Sequence, residues 1–515
     1  MSYKTFRKMR KNKKIENEIQ VKISQLKIDV PKDDMKRPSS IDTSKRMKIL
    51  FLSSDTGGGH RASAEALARQ FELLYPGSTY DLLDVITDHG YYPYKNIVKD
   101  YKHLSANPGQ WDFLYKLTNT KPMEWIYEMH FKVLSEQAIR ERIKSFSPDV
   151  VISVHPLMNN IPSLSCQKIS EETSVHLPFF TVITDLGSAH QYWFSAAKGT
   201  GNRSRAEKIF IASDQIKSLA RNRGRDSVSE EKILEFGLPI RYDFSVQAKN
   251  LGDRMSVEGK KYQALIRESL YLERNNKTVL VMGGGEGVGS LSNIVDSLYV
   301  EFTALNINAT ICVVCGRNEK LKSDLLNKDW DDVIGLKREE NGKSIEGLPG
   351  FLKKICLLRP LLKGVCEEHN KMDEESVETI DHEVKVVPLG FITNMAEYMV
   401  AADVLVSKAG PGTIAEATSV SLPIMLTNFL PGQEEGNVEY VEKHECGLYI
   451  SDREPEKIGE MVGEWLCDRE KLSRLSEASK KAGNADAASQ IVNAIGESTL
   501  RWKDVKDSVE DSNTD

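Results

Sequence analysis

The stretch ILFLSSDTGGGHR, residues 49–61, runs from four apolar residues into three glycines and a histidine, and Ala64, Leu67, Ala68 and Phe71 follow at i, i+3, i+4 and i+7. A short apolar run closed by turn residues reads as a buried strand, and the 3.6-residue period after it reads as an amphipathic helix. Strand, glycine-rich turn and helix together open a doubly wound α/β domain, in which ligands bind beyond the carboxyl ends of the strands. Glycines let the backbone approach a ligand, and a helix N-terminus disfavours a protonated imidazole. His60 is therefore expected to be neutral and able to take a proton. A turn whose histidine merely caps the helix is the plainer alternative.

Outward from this point the same alternation repeats. Apolar runs at Ile49–Leu52, Val150–Val154, Phe179–Ile183 and Ile209–Ala212 form a first series. A second comprises Val279–Met282, Thr310–Val314, Val384–Leu389, Val404–Val406 and Ile424–Leu426. Helical patterns between them predict two parallel sheets covered by crossover helices. The polar stretch Asn250–Lys277 is the expected interdomain linker. The expected layout is a basic arm over 1–46, a first domain over 47–250, a second over 275–470 with an insertion at 318–383, a helix over 471–502 and a solvated acidic tail over 503–515.

Composition narrows the function. A formal charge of -6 over 515 residues, without a concentrated basic face, argues against nucleic-acid binding. Charged residues interrupt every apolar run before it reaches the roughly 18 residues of a spanning helix. Seven scattered cysteines indicate a reducing compartment, and Cys312 and Cys315 lie in a strand-like run that suits buried thiols better than a zinc site. Lys4 to Lys14 form an acid-free basic arm with no apolar core of a secretory signal. Such an arm suits anionic lipid or an organelle-targeting role.

Three further loops carry chemistry. Gly283–Gly289 after the Val279–Met282 run offers backbone N–H groups to a diphosphate, although its spacing is neither a P-loop nor a confirmed dinucleotide fingerprint. The segment SKAGPGTIAEA, residues 407–417, is again strand end, turn and helix. Its Gly412 and Thr413 present donors to phosphate, and Glu416 presents a carboxylate able to accept both hydroxyls of a ribose. In PGQEEGN, residues 431–437, Gln433 and Glu434 form an amide and carboxylate pair suited to vicinal sugar hydroxyls. Solvated charge is the alternative for that loop taken alone.

The pieces SSDTGGGHRASAEA, VITDLGSAHQYWF, FGLPIR, VMGGGEGVG, VVCGRN, GFITNMAEYM, KAGPGTIAEA and FLPGQEEGNVEYV, in this order between Met47 and Trp465, resemble the monogalactosyldiacylglycerol synthases. That inverting glycosyltransferase family also includes bacterial diacylglycerol glucosyltransferases and the lipid II-forming transferase of cell-wall synthesis. The resemblance implies a GT-B fold, two Rossmann-like domains facing a cleft, with no metal and no cofactor. It implies His60 as catalytic base and Glu416 as the ribose ligand. Gln433 and Glu434 are implied as donor-sugar contacts, and Gly285, Phe391, Gly410, Pro411, Gly412 and Thr413 as the nucleotide site. Gly59, Pro93 and Trp193 are implied on the acceptor or activating-lipid side, although the residues around Pro93 and Trp193 match the family pattern only in part. The 318–383 insertion exceeds the family connection.

The reaction so implied moves galactose from UDP-galactose to diacylglycerol, at a plastid envelope, by a peripheral membrane protein. Alternatives are glucose from UDP-glucose, a UDP-sugar 2-epimerase, and a non-catalytic UDP-sugar scaffold. The membrane has an independent clue, since residues 91–131 hold ten of the chain's aromatics, among them Trp111 and Trp125, interleaved with Lys95, Lys99, Lys102, Lys116 and Lys121. This predicts insertion at an anionic lipid surface, with an ordinary core helix pair as the alternative.

Overall fold

The computed structural model describes residues 45–54, 58–92, 94–105, 107–198, 204–283, 291–330, 332–334 and 383–512. The basic arm up to residue 44, the glycine loop 284–290 and most of the 318–383 insertion lie outside them. The first series of strands is β1 (Lys48–Leu52), β2 (Thr79–Leu83), β3 (Val150–Ser153), β4 (Phe179–Val182), β5 (Ile209–Ile211) and β6 (Ile233–Glu235). They form one parallel sheet of order β2-β1-β3-β4-β5-β6. The second is β7 (Lys277–Met282), β8 (Ala309–Val314), β9 (Val384–Leu389), β10 (Val404–Lys408), β11 (Ile424–Asn428) and β12 (Gly447–Tyr449). Its order is β12-β11-β10-β7-β8-β9, also parallel.

Inner strands β1, β3, β4, β7, β8 and β10 are buried along nearly their whole length, because helices cover both faces of a parallel sheet. Strand order reverses between β1 and β3 in the first sheet and between β7 and β10 in the second. A crevice opens at each reversal, where the loops after neighbouring strands diverge to opposite faces. The His60 turn follows β1 and the 407–417 turn follows β10, each at a reversal.

The helices that frame the site are α1 (Gly58–Leu74), α2 (Pro108–Thr118), α3 (Lys121–Leu134), α4 (Tyr242–Leu251), α5 (Val257–Ser269), α6 (Met395–Ala401), α7 (Pro411–Ser419), α8 (Glu435–Lys443), α9 (Arg469–Ala482) and α10 (Ala487–Ser512). Ala64, Leu67, Ala68 and Phe71 are buried on the sheet face of α1, as the periodicity requires. Cys312 and Cys315 are buried free thiols, and burial pushes both up.

The expected layout is refined in detail. The Asn250–Lys277 stretch, expected as the interdomain linker, runs between the two sheets as packed, partly helical structure. Its Arg254 is wholly buried and donates to the carbonyl oxygens of Met399, Val400, Ala402 and Val420, at the ends of α6 and α7. Terminal helix carbonyls lack partners of their own, so a guanidinium satisfies several at once, and a polar sequence becomes an interior one. The expected helix over 471–502 is two helices, α9 and α10. The second crosses back to the first sheet, where Ile491, Val492 and Ile495 pack with Phe51, Phe71 and Phe180. Residues 503–512 continue α10 as helix.

Candidate active site

His60 is the third residue of α1, directly beyond β1. Its Nδ1 lies 2.8 Å from Thr184 Oγ1, past the end of β4. Its ring meets that of His155, past the end of β3, edge to face at 4.7 Å between centroids. Burial holds the His60 imidazole down to about 4, with the Val154 carbonyl acting in the opposite sense. The imidazole is therefore neutral near pH 7, through desolvation more than the expected helix field. Burial also holds His155 well below its ordinary value, and Nδ1 of that ring accepts from the Leu157 N–H.

Asp185 follows Thr184 and is buried. Its Oδ2 accepts a 2.6 Å bond from Trp193 Nε1. Burial pushes this carboxyl up to about 7, the Trp193 bond acts against that, and the charge of Glu434 adds to it. Trp193, expected on the acceptor or activating-lipid side, is fully buried, with its ring 6.0 Å from that of His60. Its N–H requires a buried acceptor, and Asp185 supplies one.

The lobes meet directly beyond Asp185. The Gly187 N–H donates to Asn437 Oδ1 at 3.1 Å, and the Ser188 hydroxyl donates to the Gln433 carbonyl at 2.6 Å. A methyl on Gly187 would sit 1.6 Å from the Gly436 carbonyl oxygen, so only bare backbone fits this junction. Tyr115 of α2 lies over Gly432, and the glycine's φ of 75° suits the residue type.

On the second lobe Glu434 is buried, with one oxygen 2.8 Å from Lys408 Nζ and the other accepting from the Leu430 N–H. Gln433 Oε1 is buried without a hydrogen-bond partner among the described residues. An orphan acceptor of that kind costs about 1–3 kcal/mol, which a ligand hydroxyl would relieve. The turn at Gly410 leads to Pro411 at the start of α7, so the N–H groups of Gly412 and Thr413 belong to a first helical turn that lacks intrahelical acceptors.

Glu416 of α7 is occupied from an unexpected quarter, since Arg241, just before α4, donates from Nε to its Oε1 at 2.8 Å. Burial pushes the Glu416 carboxyl up, and Arg241 pulls it back. Phe391, past β9, is 72% exposed, and Gly59 is exposed at the start of α1. Gly285 and Pro93 lie outside the described residues. The structure thus brings together His60, Trp193, Gln433 and Glu434. Thr184, Asp185 and Tyr115 join them unannounced, and Arg241 joins Glu416, although a rule taking every polar residue within three positions of a strand end would have found the first two.

If Glu416 leaves Arg241 for a ribose, Glu416→Ala is expected to weaken UDP binding about tenfold to a hundredfold, as a charge-assisted hydrogen bond is worth about 1.5–3 kcal/mol. Calorimetry with UDP checks this. Unchanged affinity would leave Glu416 as the partner of Arg241 alone.

Residues 60–240 match the family Monogalactosyldiacylglycerol (MGDG) synthase, and residues 364–491 match the Glycosyltransferase family 28 C-terminal domain. Monogalactosyldiacylglycerol synthase 3, chloroplastic, of Arabidopsis thaliana is 30% identical over 459 residues, 87% of this chain and 80% of that protein. A probable monogalactosyldiacylglycerol synthase 3, chloroplastic, of Oryza sativa subsp. japonica is 30% identical over 462 residues, 87% of this chain and 74% of that one. Among solved structures, Acinetobacter baumannii MurG aligns with a TM-score of 0.48 at 12% identity, covering 87% of this chain and 99% of that one.

Proposed function

The chain belongs to the monogalactosyldiacylglycerol synthase family and is an inverting glycosyltransferase, and from that premise we propose that it moves galactose from UDP-galactose onto the free hydroxyl of diacylglycerol at a plastid membrane surface. The observation that carries the donor half is the Gln433–Glu434 pair. A buried, unspent amide oxygen beside a buried carboxylate, at the junction of two lobes, suits a polyhydroxylated ligand closed in on both sides.

The reaction is a single displacement. The acceptor oxygen attacks the anomeric carbon from the first lobe, where His60 and its neighbours receive the hydroxyl. The bond from that carbon to UDP breaks on the opposite face, so an α-linked donor yields a β-glycoside. Negative charge growing on the diphosphate meets the N–H groups at the start of α7.

The acceptor half rests on the surface of α2 and α3. Trp125, Ile126, Met129 and Val133 fall within one arc of α3 and are exposed, whereas Glu124, Tyr127 and Phe131 occupy the opposite arc and are buried. Trp125 at 63% and Val133 at 71% exposure make this an apolar arc that water does not favour, and Tyr92 at 86% and Phe113 at 69% add exposed rings in the same segment of chain. The aromatic segment is thus divided, with Tyr94, Tyr127 and Phe131 packed at the core, Tyr101, Trp111 and Tyr115 packed against one another, and Tyr91, Tyr92, Phe113 and Trp125 exposed. Among the described residues no helix is long and apolar enough to cross a membrane, so this face supports docking on the surface.

Incubation with diacylglycerol vesicles and either UDP-galactose or UDP-glucose, followed by identification of the lipid and its anomeric configuration, tests the proposal. β-Galactosyl diacylglycerol is expected. A glucosyl product would replace the donor, an α-glycoside would exclude direct displacement, and no lipid product would end the reading.

A further inference from the structure

We propose that Asp185 is a further catalytic residue of this transfer, the carboxylate that receives the proton of the acceptor hydroxyl. This deepens the reading above and rests on it. The hydroxyl O–H bond breaks as its oxygen bonds to the anomeric carbon, the proton passes to Asp185, and the electron pair of the breaking carbon–oxygen bond leaves with UDP.

Placement is the first argument. Asp185 follows the end of β4, beside the end of β3 and one strand removed from β1, and the adjacent Thr184 touches His60 Nδ1. Two residues further on, the chain is hydrogen-bonded to Asn437 and Gln433. The carboxylate therefore lies between the acceptor-side histidine and the donor-sugar loop. Trp193 fixes one of its oxygens from within the core.

The second argument is what Asp185 lacks. A buried carboxylate that serves structure is surrounded by positive charge, and Asp403 in this same chain shows the pattern. Arg267 and Lys260 pair with it, the Thr278 N–H donates to it, and its carboxyl is held far below the ordinary range. Asp185 has no ion pair among the described residues. The titratable groups around it are Glu434, itself paired with Lys408, and the phenols of Tyr101 and Tyr115, which burial and the Asp185 charge both push up. His60 stands on the side of Thr184.

Proton affinity favours the same residue. With His60 held near 4, only about one imidazole in 10³ would carry a proton at pH 7, whereas a base works best with a value near the working pH. A carboxyl near 7 meets that requirement. His60 then orients the hydroxyl as a neutral hydrogen-bonding partner.

The sign follows directly. The ionised carboxylate is the active form, so kcat/KM of the wild type should fall as pH drops through about 7. Asp185→Asn is expected to lower kcat by about 10²–10⁴ and to abolish that limb while UDP affinity stays unchanged. Asp185→Glu should recover part of the rate together with a limb. Trp193→Phe removes the donor that holds the carboxyl down, so its limb should move to higher pH. His60→Ala should be slow but keep the limb near the wild-type position. A limb that survives Asp185→Asn, or a rate within a few-fold of wild type, overturns the assignment. Should Asp185→Asn lose UDP binding through misfolding, an unshifted limb in Trp193→Phe overturns it instead. Wild-type protein that makes no glycolipid removes the parent reading as well, whereas active wild type with an unmoved limb removes only the role of Asp185.

Discussion

Gly187→Ala is expected to lower kcat/KM at least about 10²-fold and to leave UDP affinity within a few-fold of wild type. The added methyl would stand 1.6 Å from the Gly436 carbonyl oxygen, whereas non-bonded heavy atoms settle near about 3.5 Å. Neither partner has a side chain to rotate away, so the lobes must separate by about 2 Å at this junction. A displacement of about 1 Å between reacting groups already costs about 10²-fold, because transfer depends on near-attack geometry. The N–H groups at the start of α7, proposed to meet the diphosphate, belong to the second lobe, which is why binding should persist. Steady-state kinetics beside UDP calorimetry checks both halves. Activity near wild type would mean that transfer takes place with the lobes further apart than this.

The sequence exposes the inner strands of both sheets because burial on both faces leaves no choice of residue, as Val279–Met282 and Phe179–Ile183 illustrate. Edge strands escape for the converse reason. In β2 the first three of Thr79–Leu83 are exposed, and β6 and β12 span three residues each, too short for any period to emerge. The path of α10 is equally hidden. Its apolar stripe announces a helix that buries one face, but nothing local indicates that the face belongs to the first sheet rather than the second. Arg254 and Arg267 mislead in the opposite direction, since charge in sequence suggests solvent and only the tertiary fold supplies helix ends and Asp403 to satisfy them.

The site divides along similar lines. Gln433 and Glu434 are legible as polar residues on a turn that follows a strand, and Glu416 as one in the helix after such a turn, the place where such sheets bind ligands. Asp185 occupies an equivalent turn but reads as an ordinary surface acid, because its raised proton affinity comes from burial and from the charge of Glu434 in the other lobe. Arg241 is likewise ordinary until the fold sets it against Glu416 across 175 positions of chain. Long-range pairing of this sort leaves no local trace.

Removing the two apolar rings Phe113 and Trp125 together is expected to reduce binding to anionic vesicles at least tenfold. Burying an aromatic side chain is worth about 1.5–3 kcal/mol, so two partly inserted rings exceed the roughly 1.4 kcal/mol that a factor of ten requires. Both are more than 60% exposed, and substitutions at such positions change stability by about 0.5 kcal/mol or less, so the double alanine variant should fold. Trp111, the other tryptophan of the segment, is a poorer probe, because it packs against Tyr101 and Tyr115. Exposed Lys95 and Lys99 add roughly 1 kcal/mol each near an anionic surface and are screened by salt, whereas the rings are not. Wild-type binding should therefore fall only partly in high salt, and the double variant's residual binding should vanish there. The two faces of α2 link this to chemistry, with Phe113 outward and Tyr115 resting on Gly432 of the donor-sugar loop. Loss of activity on vesicle-embedded diacylglycerol with UDP affinity unchanged would place the lipid surface beside the cleft. Unchanged vesicle binding by a folded double variant would move the docking face elsewhere.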